Sequence, residues 1–355
     1  MLNPLSQAYT YSSLPLNKDP FGDDSEINVV FIGDSLYEAY GVTESHKFST
    51  QVGEWFKETY EDEDTIVNYY NKGVGGTTSE YSLVRLSRDV ISLNPDVVFF
   101  GTTINDGSRD TTRNMESVIR TLQAMENPPY IIMTRFPNSN FVGVPAYGQT
   151  LAAHYGVPFI DATDAFQKVV DTGVEMASLF KDGTHPNDDG HDIISNEIID
   201  RIETSRYFQK GTNDTQKYLS TSGIIDPESM DYFSVLDERV ERSSGWTVGT
   251  NHLHSTAAGE TLEFAFEGNI LAFNYGLHQD SAKLEVYVDG ELKFTCNPFY
   301  GGLTSYQKVC KGDSAYFDLP DGEHKVVMKT VKSDSNSASP QVFRIYDIIT
   351  GSWAD

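Results

Sequence analysis

The chain has 355 residues, of which 39% are hydrophobic and 22% charged, enough for two domains and with no run near the roughly 18 apolar residues a membrane helix needs. Its formal net charge is -26, carried by both halves: 16 basic and 32 acidic residues in 1–222, 10 and 20 in 223–355. A field of that sign repels phosphate backbones and anionic lipid, which makes nucleic acid and membrane surfaces poor partners and argues against membrane insertion; solubility alone accounts for it, although strong acidity also suits an extracellular, cell-surface or virion setting.

In chain order, residues 1–25 have no clear period and read as an N-terminal arm; Met1–Thr10 lack the basic and apolar regions of a secretory signal. From 26 to 207, short apolar or β-branched runs at 27–32, 65–70, 96–100, 130–133 and 157–160 alternate with amphipathic stretches near 48–60, 79–93, 112–126, 145–155 and 188–206. Strict alternation of strand and helix predicts a parallel sheet covered on both faces, a three-layer α/β/α domain whose active site lies beyond the carboxyl ends of the strands.

Two motifs sit at such ends. Gly33-Asp34-Ser35-Leu36 directly follows the first strand, and Asp182-Gly183-Thr184-His185-Pro186 precedes the last helix. Serine is a poor nucleophile at neutral pH and needs an adjacent base. His185 suits that task, and a carboxylate three residues earlier can reach its far ring nitrogen and fix the tautomer. Either motif alone also fits an ordinary helix-capping turn; together, in the order Ser, Asp, His, they point to nucleophilic chemistry with Ser35, His185 and Asp182 as catalytic residues.

These residues resemble the GDSL/SGNH hydrolase family over about residues 26–207, and two intermediate blocks carry the resemblance further. Asn71-Lys72-Gly73-Val74-Gly75-Gly76 follows the second strand and Gly101-Thr102-Thr103-Ile104-Asn105 the third. The family pattern places oxyanion donors at the Ser35 and Gly76 amides and the Asn105 side chain; Thr103 stands where the family usually has glycine. The resemblance implies ester hydrolysis without a cofactor, on a short acyl, preferably acetyl, ester of a carbohydrate. A lipase-like or thioester-cleaving enzyme with the same triad is a second reading, and a glycan-binding or adhesion protein with an incidental hydrolase domain a third. A phosphate cradle at Gly73–Gly76 lacks the P-loop lysine. A metal site among Asp182, His185, Asp188, Asp189, His191 and Asp192 matches no ligand spacing, and the acids suit a helix N-terminus.

Segment 208–223 is polar and reads as a linker. Beyond it, short strand-like pieces at 261–266, 270–275, 283–288, 315–319, 325–330 and 342–348 predict an all-β sandwich, jelly-roll-like, over 224–355. Hairpins are expected at Asp289-Gly290 and Asp321-Gly322. This tail is similar to sandwich modules attached to some carbohydrate-active esterases. Trp246, Tyr275, Phe299 and Tyr300 could stack on sugar rings, but strand aromatics more often serve a core; the loop 297–302 is the best aromatic platform. Cys296 and Cys310 fit either a disulfide across a hairpin or two buried thiols. Homo-oligomerisation is left open.

Overall fold

A computed structural model of the chain describes residues 21, 25–101, 104–105, 111–140, 147–204, 231–234, 236–249, 252–299, 301, 307–309 and 317–352. The expected linker at 208–223, most of the N-terminal arm, Thr103, Tyr300 and Cys310 lie outside the described residues.

The first domain runs β1 (Glu26–Gly33), α1 (Ser35–Glu38), α2 (Phe48–Tyr60), β2 (Ile66–Gly73), α3 (Ser79–Val84), α4 (Leu86–Asp89), β3 (Val97–Gly101), α5 (Thr111–Gln123), β4 (Tyr130–Arg135), α6 (Tyr147–Tyr155), β5 (Phe159–Asp161), α7 (Thr163–Val170) and α8 (Asp188–Thr204). Its five strands are parallel in the order β2-β1-β3-β4-β5. The order reverses at β1, so the crevice at a topological switch point opens beside the carboxyl end of β1. Ser35 is the second residue after that strand.

Alternation along the strands explains the three layers. Val30, Ile32, Val98, Phe100, Ile131 and Met133 face one core with α3, α5 and α6; Val29, Phe31, Val97, Phe99 and Ile132 face another with α2, α7 and α8. The helices answer with stripes at helical spacing: Met115, Val118, Ile119 and Leu122 on α5, and Ile194, Ile198 and Ile202 on α8. The stretch expected as one helix over 79–93 is instead broken at Arg85 and Val90, with a single 3₁₀ turn at Ile91–Leu93. The periodicity of 79–93 did not register that break. Helix α7 had no counterpart among the expected elements. From the arm, Phe21 is buried edge-on against Tyr60 and Tyr130, with ring centroids 5.2 and 5.9 Å away.

The second domain is antiparallel and all-β: β6 (Asp231–Ser234), β7 (Glu241–Arg242), β8 (Trp246–Val248), β9 (Leu253–Ser255), β10 (Thr261–Leu277), β11 (Lys283–Val288), β12 (Glu291–Cys296), β13 (Gln307–Val309), β14 (Phe317–Val331) and β15 (Phe343–Gly351). Among the described residues its ten strands form one hydrogen-bonded network around a core containing Trp246, Phe264, Phe273, Val286, Met328 and Ile345. The Asp289-Gly290 hairpin forms, with both residues at positive φ (52° and 82°), as a tight primed turn requires.

The hairpin expected at Asp321-Gly322 does not form. Gly322 pairs with Gly268 inside a continuous β10–β14 ladder, and the register shifts between Gly268 and Ile270. Both glycines hold φ near the far edge of positive space (137° and 147°), where they bend the two long strands instead of reversing the chain. A Cβ on Gly268 would also lie 2.3 Å from the Gly351 carbonyl oxygen, so a third strand closes on the same point.

The two domains share a core. Ile270, Ala272 and Ile349 of the β domain are essentially fully buried in the cluster that also holds Tyr81, Val84 and Met115. Burying a branched aliphatic side chain is worth about 1.5–3 kcal/mol, so this contact is a packed interface and not a surface touch. No described helix is long and apolar enough to cross a membrane.

Candidate active site

Ser35 opens α1, one residue after Asp34 leaves β1. Asp34 is 2% exposed and works as the N-cap, its Oδ1 accepting the Leu36 amide at 2.9 Å. Its other oxygen accepts the Ile104 amide at 3.0 Å and lies 3.4 Å from the Asn105 side-chain nitrogen. One carboxylate thus ties the serine turn to the loop after β3. Beneath it, the Tyr37 ring is packed so closely that a Cβ on Gly33 or Gly101 would fall 2.6 or 2.2 Å from it. The Tyr37 hydroxyl meets Thr134 Oγ1 at 2.5 Å, and burial pushes its acidity far out of the working range.

The loop after β2 passes over the same turn. A Cβ on Gly73 would fall 2.1 Å from the Glu38 amide nitrogen, so only glycine fits there. Gly75 donates its N–H to Glu38 Oε2 at 2.8 Å, and a Cβ there would be 3.6 Å from the Cβ of Ser35. Gly76 follows at φ +71° with open space above it. The Asn105 amide reaches across and donates to the Thr77 carbonyl at 2.9 Å. Ser35, Gly76 and Asn105 are therefore brought to one wall, with Asn105 engaged by its neighbours on both hydrogens, the second only through the long contact to Asp34.

The facing arm is the loop between Phe180 and Pro186, which are joined by a β-bridge. Within it Asp182 Oδ1 accepts the amides of Thr184 and His185, each at 2.8 Å. These two N–H donors, with the imidazole of His185, hold the Asp182 carboxyl down at about 2, below its ordinary 3.8. His185 Nδ1 lies 2.9 Å from Asp182 Oδ2, and its Nε2 lies 2.9 Å from Ser35 Oγ, across 150 residues of sequence. With Nδ1–H donated to the carboxylate, Nε2 presents a lone pair to the serine hydroxyl. The arm is the exposed half of the site: 57% of the Asp182 side chain and 28% of that of His185 are accessible, against 8% of Ser35.

The acids and histidines that follow point elsewhere. Asp188 accepts from the Thr43 amide and hydroxyl at 2.9 and 2.7 Å, and Asp192 contacts His46 and Gln51 at 2.9 and 2.6 Å. His191 is buried and stacked on Phe48 at 5.8 Å, and burial pushes its imidazole down to about 4. Among the described residues no three metal-capable side chains converge. In the β domain, Trp246 and Tyr275 are buried in the core, and Phe299 is half-buried. Cys296 is a buried free thiol pushed up by desolvation.

Tyr40 is 70% exposed and stands between Ala39 and Gly41, which both take positive φ (55° and 66°). The Lys181 ammonium donates to the Tyr40 carbonyl and sits 5.9 Å from its ring centroid. Sequence reasoning passed over Tyr40, Asp34 and Arg85, the buried cation described below. Asp34 was visible as a helix cap in Gly33-Asp34-Ser35, whereas nothing in sequence tells that Arg85 faces inward.

Residues 31–193 match the GDSL-like Lipase/Acylhydrolase family. No curated protein matches the chain significantly. Among solved structures, a two-domain esterase (CEX) active on acetylated mannans, co-crystallized with mannopentaose, superposes with a TM-score of 0.75 at 19% identity, covering 93% of this chain and 92% of that one. Another structure described as the two-domain esterase (CEX) gives 0.71 at 19% identity, covering 92% and 91%. At that identity the likeness speaks to the fold, and it extends over both domains. Axe2, an acetylxylan esterase from Geobacillus stearothermophilus, reaches only 0.40 at 23% identity, over 50% of this chain and 94% of that one.

Proposed function

With residues 31–193 belonging to the GDSL-like Lipase/Acylhydrolase family and the chain a carboxylic-ester hydrolase, we propose that it removes acetyl groups from carbohydrate through an acyl-enzyme on Ser35. The observation that carries this reading is the unbroken relay from Asp182 Oδ2 through His185 to Ser35 Oγ, both links 2.9 Å long. Ser35 Oγ attacks the ester carbonyl as His185 Nε2 takes its proton. Negative charge on the carbonyl oxygen is met by the amides of Ser35 and Gly76 and by the Asn105 side chain, which gives up its long contact to Asp34 for the purpose. Collapse expels the sugar alkoxide, which leaves with the proton from His185. Water, deprotonated by the same imidazole, then attacks the acetyl-enzyme, and acetate and free Ser35 result.

The carbohydrate part of the reading draws on the two-domain esterase active on acetylated mannans, whose fold is similar over 93% of this chain. Tyr40, which contacts Lys181 at the start of the arm, has an exposed ring of the kind on which a pyranose stacks.

The test is acetate release from acetylated manno- and xylo-oligosaccharides, set beside p-nitrophenyl esters of rising chain length. The expected result is release from the oligosaccharides, preference for the acetyl over the octanoyl ester, and loss of both activities in Ser35→Ala. Preference for the long chain would favour the lipase-like reading; glycan binding without turnover of any ester would favour the adhesion reading.

A further inference from the structure

Arg85 is a fully buried cation, 0% exposed, at the break between α3 and α4. Its guanidinium donates to two backbone carbonyls: Nη2 to Gly33 O at 3.1 Å and Nη1 to Lys72 O at 2.6 Å. Gly33 ends β1, directly before Asp34 and Ser35; Lys72 stands at the end of β2, four residues before Gly76. The Val74 amide also donates to Gly33 O, at 3.1 Å. A rigid planar fork therefore fixes the spacing of the two strand ends that carry the nucleophile and the glycine amide of the oxyanion wall.

A charge so buried needs a partner. Arg85 Nη1 meets Asp89 Oδ2 at 2.8 Å, and Asp89 is gripped from its other side by Arg88, Nε to Oδ1 at 2.8 Å and Nη2 to Oδ2 at 3.0 Å. Although burial pushes the Asp89 carboxyl upward, Arg88 and Arg85 together hold it well below the usual carboxylate range. Arg88 Nη1 then crosses the domain interface to Asp347 Oδ2 on β15 at 2.5 Å, and Asn274 of β10 donates to the same oxygen at 3.2 Å. The result is an alternating chain of charge, Arg85–Asp89–Arg88–Asp347, running from the serine turn into the β domain.

We propose that Arg85 is a positioning residue for the oxyanion wall, and that the β domain holds it in place through Asp347 and Arg88, so that domain docking governs turnover. This rests on the reading of Ser35 as nucleophile. The two carbonyls that satisfy the buried guanidinium are those at the ends of β1 and β2, so its geometry bears on both segments at once.

The experiment uses the full chain and p-nitrophenyl acetate, an ester too small to span both domains, with cooperative melting checked for every variant. Arg85→Lys keeps the charge but loses the fork; it should lower kcat about 30–300-fold with KM within about two-fold. Asp347→Asn and Arg88→Met should each lower kcat about 3–30-fold, and the double variant no further than the lower single one. The proposal is overturned by cooperative melting with wild-type kcat in Asp347→Asn, by losses that multiply in the double variant, or by effects confined to KM. Should Arg85→Lys not fold, Asp347→Asn, which keeps shape and its place beside Asn274, decides. Ser35→Ala is assayed alongside: activity surviving there removes the serine reading itself, whereas its loss together with an active, unaffected Asp347→Asn removes only the coupling.

Discussion

The two halves of the candidate site are built on opposite plans. The wall, with Ser35, Gly76 and Asn105, grows from the carboxyl ends of β1, β2 and β3, and its geometry is set by buried contacts: Asp34 between two loops, Tyr37 under two glycines, Arg85 across two carbonyls. The arm, with Asp182 and His185, is a short bridged loop held by its own backbone, with more than half of the Asp182 side chain in solvent. In the proposed mechanism the Ser35 turn is thus held by the core, Asn105 exchanges only its long contact to Asp34, and the base is oriented by its own loop. Perturbing the arm should change rate without changing the fold; perturbing the wall should change both.

The largest effect that would break this contrast is expected at Asp182. Asp182→Asn should lower kcat about 10³–10⁴-fold, because the imidazole loses its tautomer, with melting at neutral pH shifted by less than about 2 °C, since the carboxylate is mostly in solvent. The sign of its pH dependence follows from a depressed carboxyl. The stability Asp182 lends is fully present above its ordinary 3.8 and is lost as pH falls through about 2. Melting curves of wild type and Asp182→Asn should therefore differ by a constant above pH about 4 and converge below it. A difference that grows toward neutral pH would contradict the assignment.

Asn105→Ala removes a donor from the wall and should cost about 10²–10³-fold in kcat. Because it also strips the Thr77 carbonyl of its partner, melting should fall by about 2–4 °C, and a rate loss without any melting change would blur the distinction between the halves. Gly76→Ala is the mildest change. No atom lies within 4 Å of the new Cβ, so the cost is the positive φ alone, and about a 3–10-fold loss of kcat is expected as the amide tilts. A larger collapse would show that the loop's path depends on Gly76 for more than its dihedral angle.

Much of the wall and the arm was legible in the sequence because it is local. Buried strands announce themselves as unbroken runs such as Val29–Ile32, and the Asp-Gly-Thr-His turn carries its own hydrogen-bond pattern. What was not legible is what depends on contact across the fold. Asp321-Gly322 looks like the hairpin turn at Asp289-Gly290, yet its partner Gly268 makes it a bend within a strand. Arg85 and Asp89 look like an ordinary helical ion pair four apart, yet Arg85 is fully buried, with its guanidinium on the Gly33 and Lys72 carbonyls at the ends of β1 and β2. The cover that the β domain gives the first domain was likewise not legible, since Ile270, Ala272 and Ile349 pack with Tyr81, Val84 and Met115.

The central claim is that Ser35 carries the acyl group between the two half-reactions. Rapid acid quench of the protein during turnover of an acetyl ester, followed by peptide mass analysis, tests it directly. The account predicts an acetyl group on the peptide containing Ser35, absent from Ser35→Ala. Turnover at the wild-type rate in Ser35→Ala, or acetylation of a different residue in the active protein, would contradict it.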